Sequence, residues 1–178
     1  MTGWRPLTDP AVAMRRAAML ERARQFFSDQ GLLAVDTPAL TRYATSDPNI
    51  ESLGVRSRPG KDGFLHTSPE VYMKRLLAAG FPDIYSLCRV FRDGESGRRH
   101  LPEFTMAEWY RLNFDLDAIV DDTIAFIAAC VHLPALLDTV ERLDYAEAFR
   151  RPTSSLPRRA TNVCATCSAQ TATPRWTS

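Results

Sequence analysis

The stretch "FRDGESGRRHLPEFTMAEWYR", residues 91–111, gathers Arg92, Asp93, Glu95, Arg98, Arg99, His100, Glu103, Glu108 and Arg111 in a chain whose formal net charge is only +1. An arginine followed by a loop rich in arginine and bearing a histidine has the chemistry to hold a polyphosphate, because the guanidinium fork meets phosphate oxygens two at a time. The same composition describes a solvated hairpin tip, and the stretch by itself leaves both readings open. The segment after the loop alternates strictly. Phe104, Met106, Glu108 and Tyr110 fall on one strand face, and Thr105, Ala107, Trp109 and Arg111 on the other. A carboxylate and a phenol thereby share a face with apolar groups.

Upstream, "DIYSLCRVFR" alternates too, placing Ile84, Ser86, Cys88, Val90 and Arg92 on one face. The two strands and their polar connection predict an antiparallel hairpin. Ala13, Ala17, Leu20, Ala23 and Phe27 recur at helical spacing over 11–30, with Gly31 placed to cap the end. "LLAVDTP" reads as a short strand closed by Pro38, which has no N–H for a ladder and marks an edge or a strand end. Residues 41–63 read as loop, with a weak strand around "ESLGVRS". In "FLHTSPEVYMKRLLAAG" the pattern turns from strand to helix at Thr67: Thr67 and Glu70 have capping-box spacing, Pro69 suits a first turn, and Gly80 ends the run. His66 reads as a packed or surface histidine rather than a ligand. A second amphipathic helix carries Leu116, Val120, Ile124, Ile127 and Val131, opens at "DLD" and stops before Pro134, while "VERLDYAEAF" predicts a strand and the start of another helix.

A chain of 178 residues, 45% hydrophobic and 24% charged, has the makings of one domain with a real core. Nearly balanced charge argues against a general polyanion-binding surface and favours a small partner. No run approaches a membrane span, and "MTGWRPLTDP" lacks the apolar core of a signal peptide, so the expected location is cytoplasmic. Cys88 and Cys130 lie in apolar patterns and are expected to be buried for structural reasons. From Pro152 the character changes: the remaining residues contain no acidic side chain, no lysine and no apolar periodicity, and their "CATC" is half of a four-cysteine metal site. The expected organisation is a folded part, 1–151, and a disordered or frame-shifted tail, 152–178.

A helix, "VDTP", "TSPEVYMKRLL" and "CRVFRDGESGRRHLPEFTMAEWYR" in this order closely resemble the catalytic core of class II lysyl-tRNA synthetases. They resemble more closely still the synthetase paralogues that ligate lysine or β-lysine onto elongation factor P. The resemblance covers about 12–150 and implies an α+β fold, an antiparallel sheet flanked by helices. It also implies dimerisation through the first helix and strand. Arg92 would match the catalytic arginine on the ATP α-phosphate, Phe104 would stack on adenine, and Glu95 with His100 would border the triphosphate and base. Glu70, Glu108 and Tyr110 would hold the amino groups of a lysine-like substrate. The activity implied is adenylation of lysine or β-lysine by ATP, with Mg2+ bridging the phosphates, then transfer to a lysine of elongation factor P. A lysyl-tRNA synthetase fragment and a non-catalytic dimerising remnant are the alternatives. The start of the chain near the first motif leaves no room for an anticodon-binding barrel, and "FRDGESG" departs from the synthetase-like "FRNE", so tRNA is not the expected partner. The family's third motif, with its arginine for the γ-phosphate, is absent, and the chain is expected to be a shortened, incomplete form of the fold that is inactive as it stands.

Overall fold

A computed structural model describes residues 8–56, 62–95, 97–137 and 140–151. They fall into two compact units, Met1–Asp138 and Thr139–Ser178.

The first unit opens on α1, Pro10–Asp29. Asp9 caps it by accepting from the Ala11 N–H at 2.7 Å, and Pro10 supplies a preset φ where no N–H is needed. Gly31 follows the C-cap with φ +75°, the left-handed geometry that ends a helix. Only the second half of α1 is covered: Ala23 and Phe27 are buried, whereas Ala13 and Ala17 are exposed. The expected stripe therefore packs over half its length.

The main sheet has the order β1–β5–β6, with β1 Leu33–Ala34, β5 Ile84–Phe91 and β6 Glu103–Tyr110. Strands β5 and β6 form the expected antiparallel hairpin, in a register running from Ile84 opposite Tyr110 to Phe91 opposite Glu103. Strand β1 lies at the edge, as Pro38 predicts, but runs parallel to β5. The 41–63 region holds more order than its composition indicates. A second, antiparallel sheet is built from β2 Leu40–Thr41, β4 Gly63–Leu65 and β3 Gly54–Val55, in the order β2–β4–β3. Strands of two or three residues give too few alternations to be read from pattern. Gly63 is obligatory there, since a Cβ would stand 2.9 Å from the Thr41 carbonyl oxygen.

Two helices complete this unit, α2 Glu70–Ala78 and α3 Leu116–Val131. The predicted capping box on α2 does not form. Pro69 occupies the cap position, and it is Ser68 whose hydroxyl accepts the Glu70 N–H at 3.3 Å, while Thr67 is buried one residue further back. Helix α3 starts as expected, with the Asp115 carboxylate accepting from Ala118 N–H at 2.9 Å, but buries a different face. Leu116, Ile127 and Val131 are exposed, and Asp122, Phe126 and Cys130 turn inward. The inward face is selected by Asp122, which accepts the Trp109 indole N–H at 2.9 Å and pairs with Arg111.

The aromatic core lies on the odd-numbered face of the hairpin, while Ile84, Ser86 and Val90 are fully buried on the even-numbered face. Phe27, fully buried, stacks on Tyr85 at 4.5 Å and on Phe126 at 4.9 Å and meets Trp109 at 5.4 Å. Burying one such ring is worth about 2–3 kcal/mol, and each aromatic pair adds about 1 kcal/mol. Helices α1 and α3 pack on this face, through Phe26, Phe27 and Phe126.

The second unit contributes α4, Tyr145–Arg150, capped by Asp144, which accepts the Glu147 N–H at 2.7 Å. The strand expected from "VERLD" is not present: the described residues 140–144 are irregular and lead into that cap. The segment 152–178, with its "CATC", lies outside the described residues.

Candidate active site

The hairpin register sets Ile84 beside Tyr110, Ser86 beside Glu108, Cys88 beside Met106 and Val90 beside Phe104, all on the face away from α1 and α3. The Tyr110 hydroxyl donates to Glu108 Oε1 at 2.8 Å. Burial pushes the Glu108 carboxyl above the usual carboxylate range. The Tyr110 hydrogen bond opposes this, the negative charge of Glu70 reinforces it, and Lys74 and His66 pull the other way. The Tyr110 phenol is held well above its ordinary value by burial and then by its bond to the carboxylate. Cys88 shares this face and is only half-buried, not enclosed as its apolar pattern predicts. Its thiol is pushed up chiefly by burial, with Glu108 and Asp36 adding to that. Cys130 is buried as expected.

Glu70 heads α2 and is exposed, with Lys74 one turn on as its ion-pair partner. It lines a cavity of about 270 Å³ with Arg42, Tyr43, His66, Tyr72 and Arg75. Glu70 reaches Glu108 through its field rather than by contact. The half-buried Glu108 and the exposed Glu70 thus repel each other across the site, the kind of charge arrangement that a cation between them would relieve.

The other end of the same face carries Arg92 and Phe104. Arg92 follows the last residue of β5, and its N–H is donated to the Pro102 carbonyl at 2.9 Å. Its guanidinium lies 5.2 Å over the Phe104 ring and 3.6 Å from Glu95 Oε1, and its Nε is buried without a hydrogen-bond partner. Arg92, Glu95, Arg99, His100, Leu101 and Phe104 line a recess of about 320 Å³. The connecting loop closes on itself through Gly97 N–H to His100 O at 3.1 Å and turns at Gly94 with φ +71°. Arg92, Glu95, His100 and Phe104, the four residues expected at the nucleotide end, all line this recess, while the hairpin tip from Gly97 to Glu103 is exposed. Arg99 is an addition that the "GRRH" sequence could have signalled. Arg42 and Tyr43 sit in a stretch whose composition reads only as loop and left no such signal.

Phe104 and Glu108 are four residues apart, about 13 Å along a strand. The Arg92 recess and the Glu108–Tyr110 pair thus stand on one strand face. For magnesium the fit is poor: among the described residues no group of three or more His, Cys, Asp or Glu could hold a metal ion, and no step below depends on one.

The chain belongs to the class II tRNA synthetases (D, K and N), whose family model matches residues 8–176. Among curated relatives it is similar to the elongation factor P–(R)-β-lysine ligases of Erwinia tasmaniensis, 42% identical over 83% of this chain and 46% of the relative, and of Edwardsiella ictaluri, 42% identical over 85% and 47%. The Haemophilus ducreyi ligase is 45% identical over 71% of this chain and 41% of its own. The chain spans about half the length of the curated relatives it matches. Asparaginyl-tRNA synthetase from Pyrococcus horikoshii, solved with asparaginyl-adenylate, shares the fold with a TM-score of 0.62 at 23% identity, over 72% of this chain and 29% of that one. No described helix is long and apolar enough to cross a membrane.

Proposed function

We propose that this chain carries the amine-binding and α-phosphate-binding face of a cytoplasmic ligase that activates lysine or β-lysine with ATP and passes it to a lysine of elongation factor P. The observation that carries the reading is the strand face itself, with Glu108 and Tyr110 bonded at 2.8 Å at one end and Arg92 over Phe104 at the other. The names of the curated relatives supply the acceptor.

In this reading Glu70 and Glu108 hold the substrate's ammonium groups, and the Tyr110 hydroxyl keeps one Glu108 oxygen oriented while the other faces the cation. The substrate carboxylate is thereby aimed along the strand toward Arg92. A carboxylate oxygen bonds to the α-phosphorus, the bond to the β-phosphate oxygen breaks, and pyrophosphate leaves. Arg92 stabilises the charge that gathers on the α-phosphate oxygens, the term that ordinarily dominates such reactions. In the second step the acceptor amine attacks the acyl carbon, AMP departs, and the amine's proton goes to solvent. Positioning and charge do the catalysis, and no protein nucleophile is required. Arg92, Glu95, His100 and Phe104 present the donors and the aromatic face that ATP needs. The exposed first half of α1, where Ala13, Ala17 and Met14 are uncovered, offers the surface for a homodimer.

The test is incubation of the complete ligase with ATP, lysine or β-lysine, elongation factor P and tRNA, followed by mass spectrometry. A lysyl addition to elongation factor P supports the proposal. Charged tRNA with unmodified elongation factor P overturns it in favour of a tRNA synthetase.

A further inference from the structure

Strand β1 covers β5 only at Ile84 and Tyr85, where the Val35 N–H reaches the Tyr85 carbonyl at 2.9 Å. Beyond that point the same edge of β5 needs another partner, and His66 supplies it. Its Nε2 lies 2.7 Å from the Arg89 carbonyl oxygen, and its own carbonyl accepts the Phe91 N–H at 3.0 Å. Its N–H is donated to the Ala39 carbonyl at 2.9 Å, next to β2. One residue therefore stitches the small sheet to the main one.

The two backbone bonds would survive a change of side chain, and only the bond to Arg89 depends on imidazole. A carbonyl can only accept, so Nε2 carries a proton. Nδ1 is buried with no partner, in a residue only 6% exposed. An apolar side chain would avoid that unpaired atom. What imidazole alone supplies is the donor to β5. The segment that follows has no slack: Thr67 is buried, Pro69 is fully buried, and Glu70 begins α2 immediately afterwards. His66 also lines the cavity of Glu70 and lies near enough to Glu108 to influence its charge.

We infer that His66 is a positioning residue, whose hydrogen bond to the Arg89 carbonyl fixes the Glu70-bearing segment at the separation from Glu108 that a single diamine-bearing substrate spans. The inference rests on the function proposed above and adds the element that sets the width of the amine pocket.

The experiment titrates the chain, His66→Leu and His66→Gln with a non-hydrolysable sulfamoyl analogue of lysyl-adenylate and, separately, with AMP. His66→Leu is expected to lose about tenfold in affinity for the lysyl compound, the scale of a small misplacement, with AMP affinity held within about twofold because Arg92 and Phe104 are untouched. The glutamine amide can donate to the same carbonyl and should recover most of the loss. Unchanged lysyl affinity in His66→Leu, parallel losses for both ligands, or no recovery in His66→Gln would each overturn the inference. If the unsubstituted chain binds lysyl and leucyl analogues alike, the function proposed above fails, and this inference with it. Should the leucine variant not fold, the glutamine variant and the imidazole nitrogen spectrum of the unsubstituted chain decide. A proton on His66 Nε2 is expected, and a bare Nε2 excludes the bond.

Discussion

Glu108 pays for its place with a raised affinity for protons. Its carboxyl is pushed up by burial, with Glu70 adding to this and Tyr110 opposing it. Because the folded-state value exceeds the unfolded one, the folded chain holds this proton more tightly. The resulting stabilisation is present in acid and is lost as pH rises through the folded value. Glu108→Gln should therefore raise the urea midpoint at pH 7 and leave it nearly unchanged at pH 4, while weakening binding of the lysyl compound by about 30-fold or more, as loss of a buried charge partner does. A lower midpoint at pH 7 would contradict this. Affinity of the unsubstituted chain for the lysyl compound should fall on acidification before ordinary carboxylates titrate. Arg92→Ala should lower the rate of adenylate formation about 10²- to 10³-fold, read by pyrophosphate exchange in the complete ligase. These residues were legible because type and place agree: an arginine at a strand end, and a carboxylate on an otherwise apolar face. Arg42 and Tyr43 were not, since nothing in a loop's composition says which side chains turn toward a cavity.

Strands announce their faces more reliably than these helices do. A period of two leaves one assignment, so the hairpin and its functional face follow from the alternation of Phe104, Met106, Glu108 and Tyr110. Helix α3 has apolar residues nearly all round, and its packing is decided by a polar group that periodicity would place outside. Asp122 accepts from Trp109 at 2.9 Å. The Arg111 Nε lies 3.2 Å from Asp122 Oδ2 without an aligned hydrogen bond, and its Nη1 lies 3.3 Å from Asp83. Both the Arg111 and Asp122 side chains are 7% exposed. Asp122→Ala leaves Arg111 short of its buried partner and should cost about 3 kcal/mol in urea unfolding, although Asp83 remains. A loss below about 1 kcal/mol would show the pair to be dispensable. The Thr67 capping box failed for a related reason: spacing gave a local solution, but burial of Thr67 and Pro69 moved the helix start to Glu70.

At the scale of the molecule, the chain spans about half of its curated relatives, and it exposes Met14, Leu40, Leu116, Ile127 and Val131. Uncovered apolar area of this kind favours association. Sedimentation should show a dimer that Ala17→Arg on α1 converts to monomer, whereas an unshifted dimer would place the interface elsewhere. The sheet and both ends of its functional strand face could be anticipated because they are local in sequence. The small sheet and its stitch at His66 could not, because they join short segments that are distant along the chain. Under the proposed function one strand face takes an adenylate at Arg92 and, with Glu70, a diamine-bearing acid at Glu108. The most direct measurement is calorimetric titration with the sulfamoyl analogues of lysyl-adenylate and leucyl-adenylate, which share every atom at the nucleotide end. The account predicts at least about 100-fold tighter binding of the lysyl compound, the discrimination expected when a buried charge is left unpaired; equal affinity for the two would contradict it.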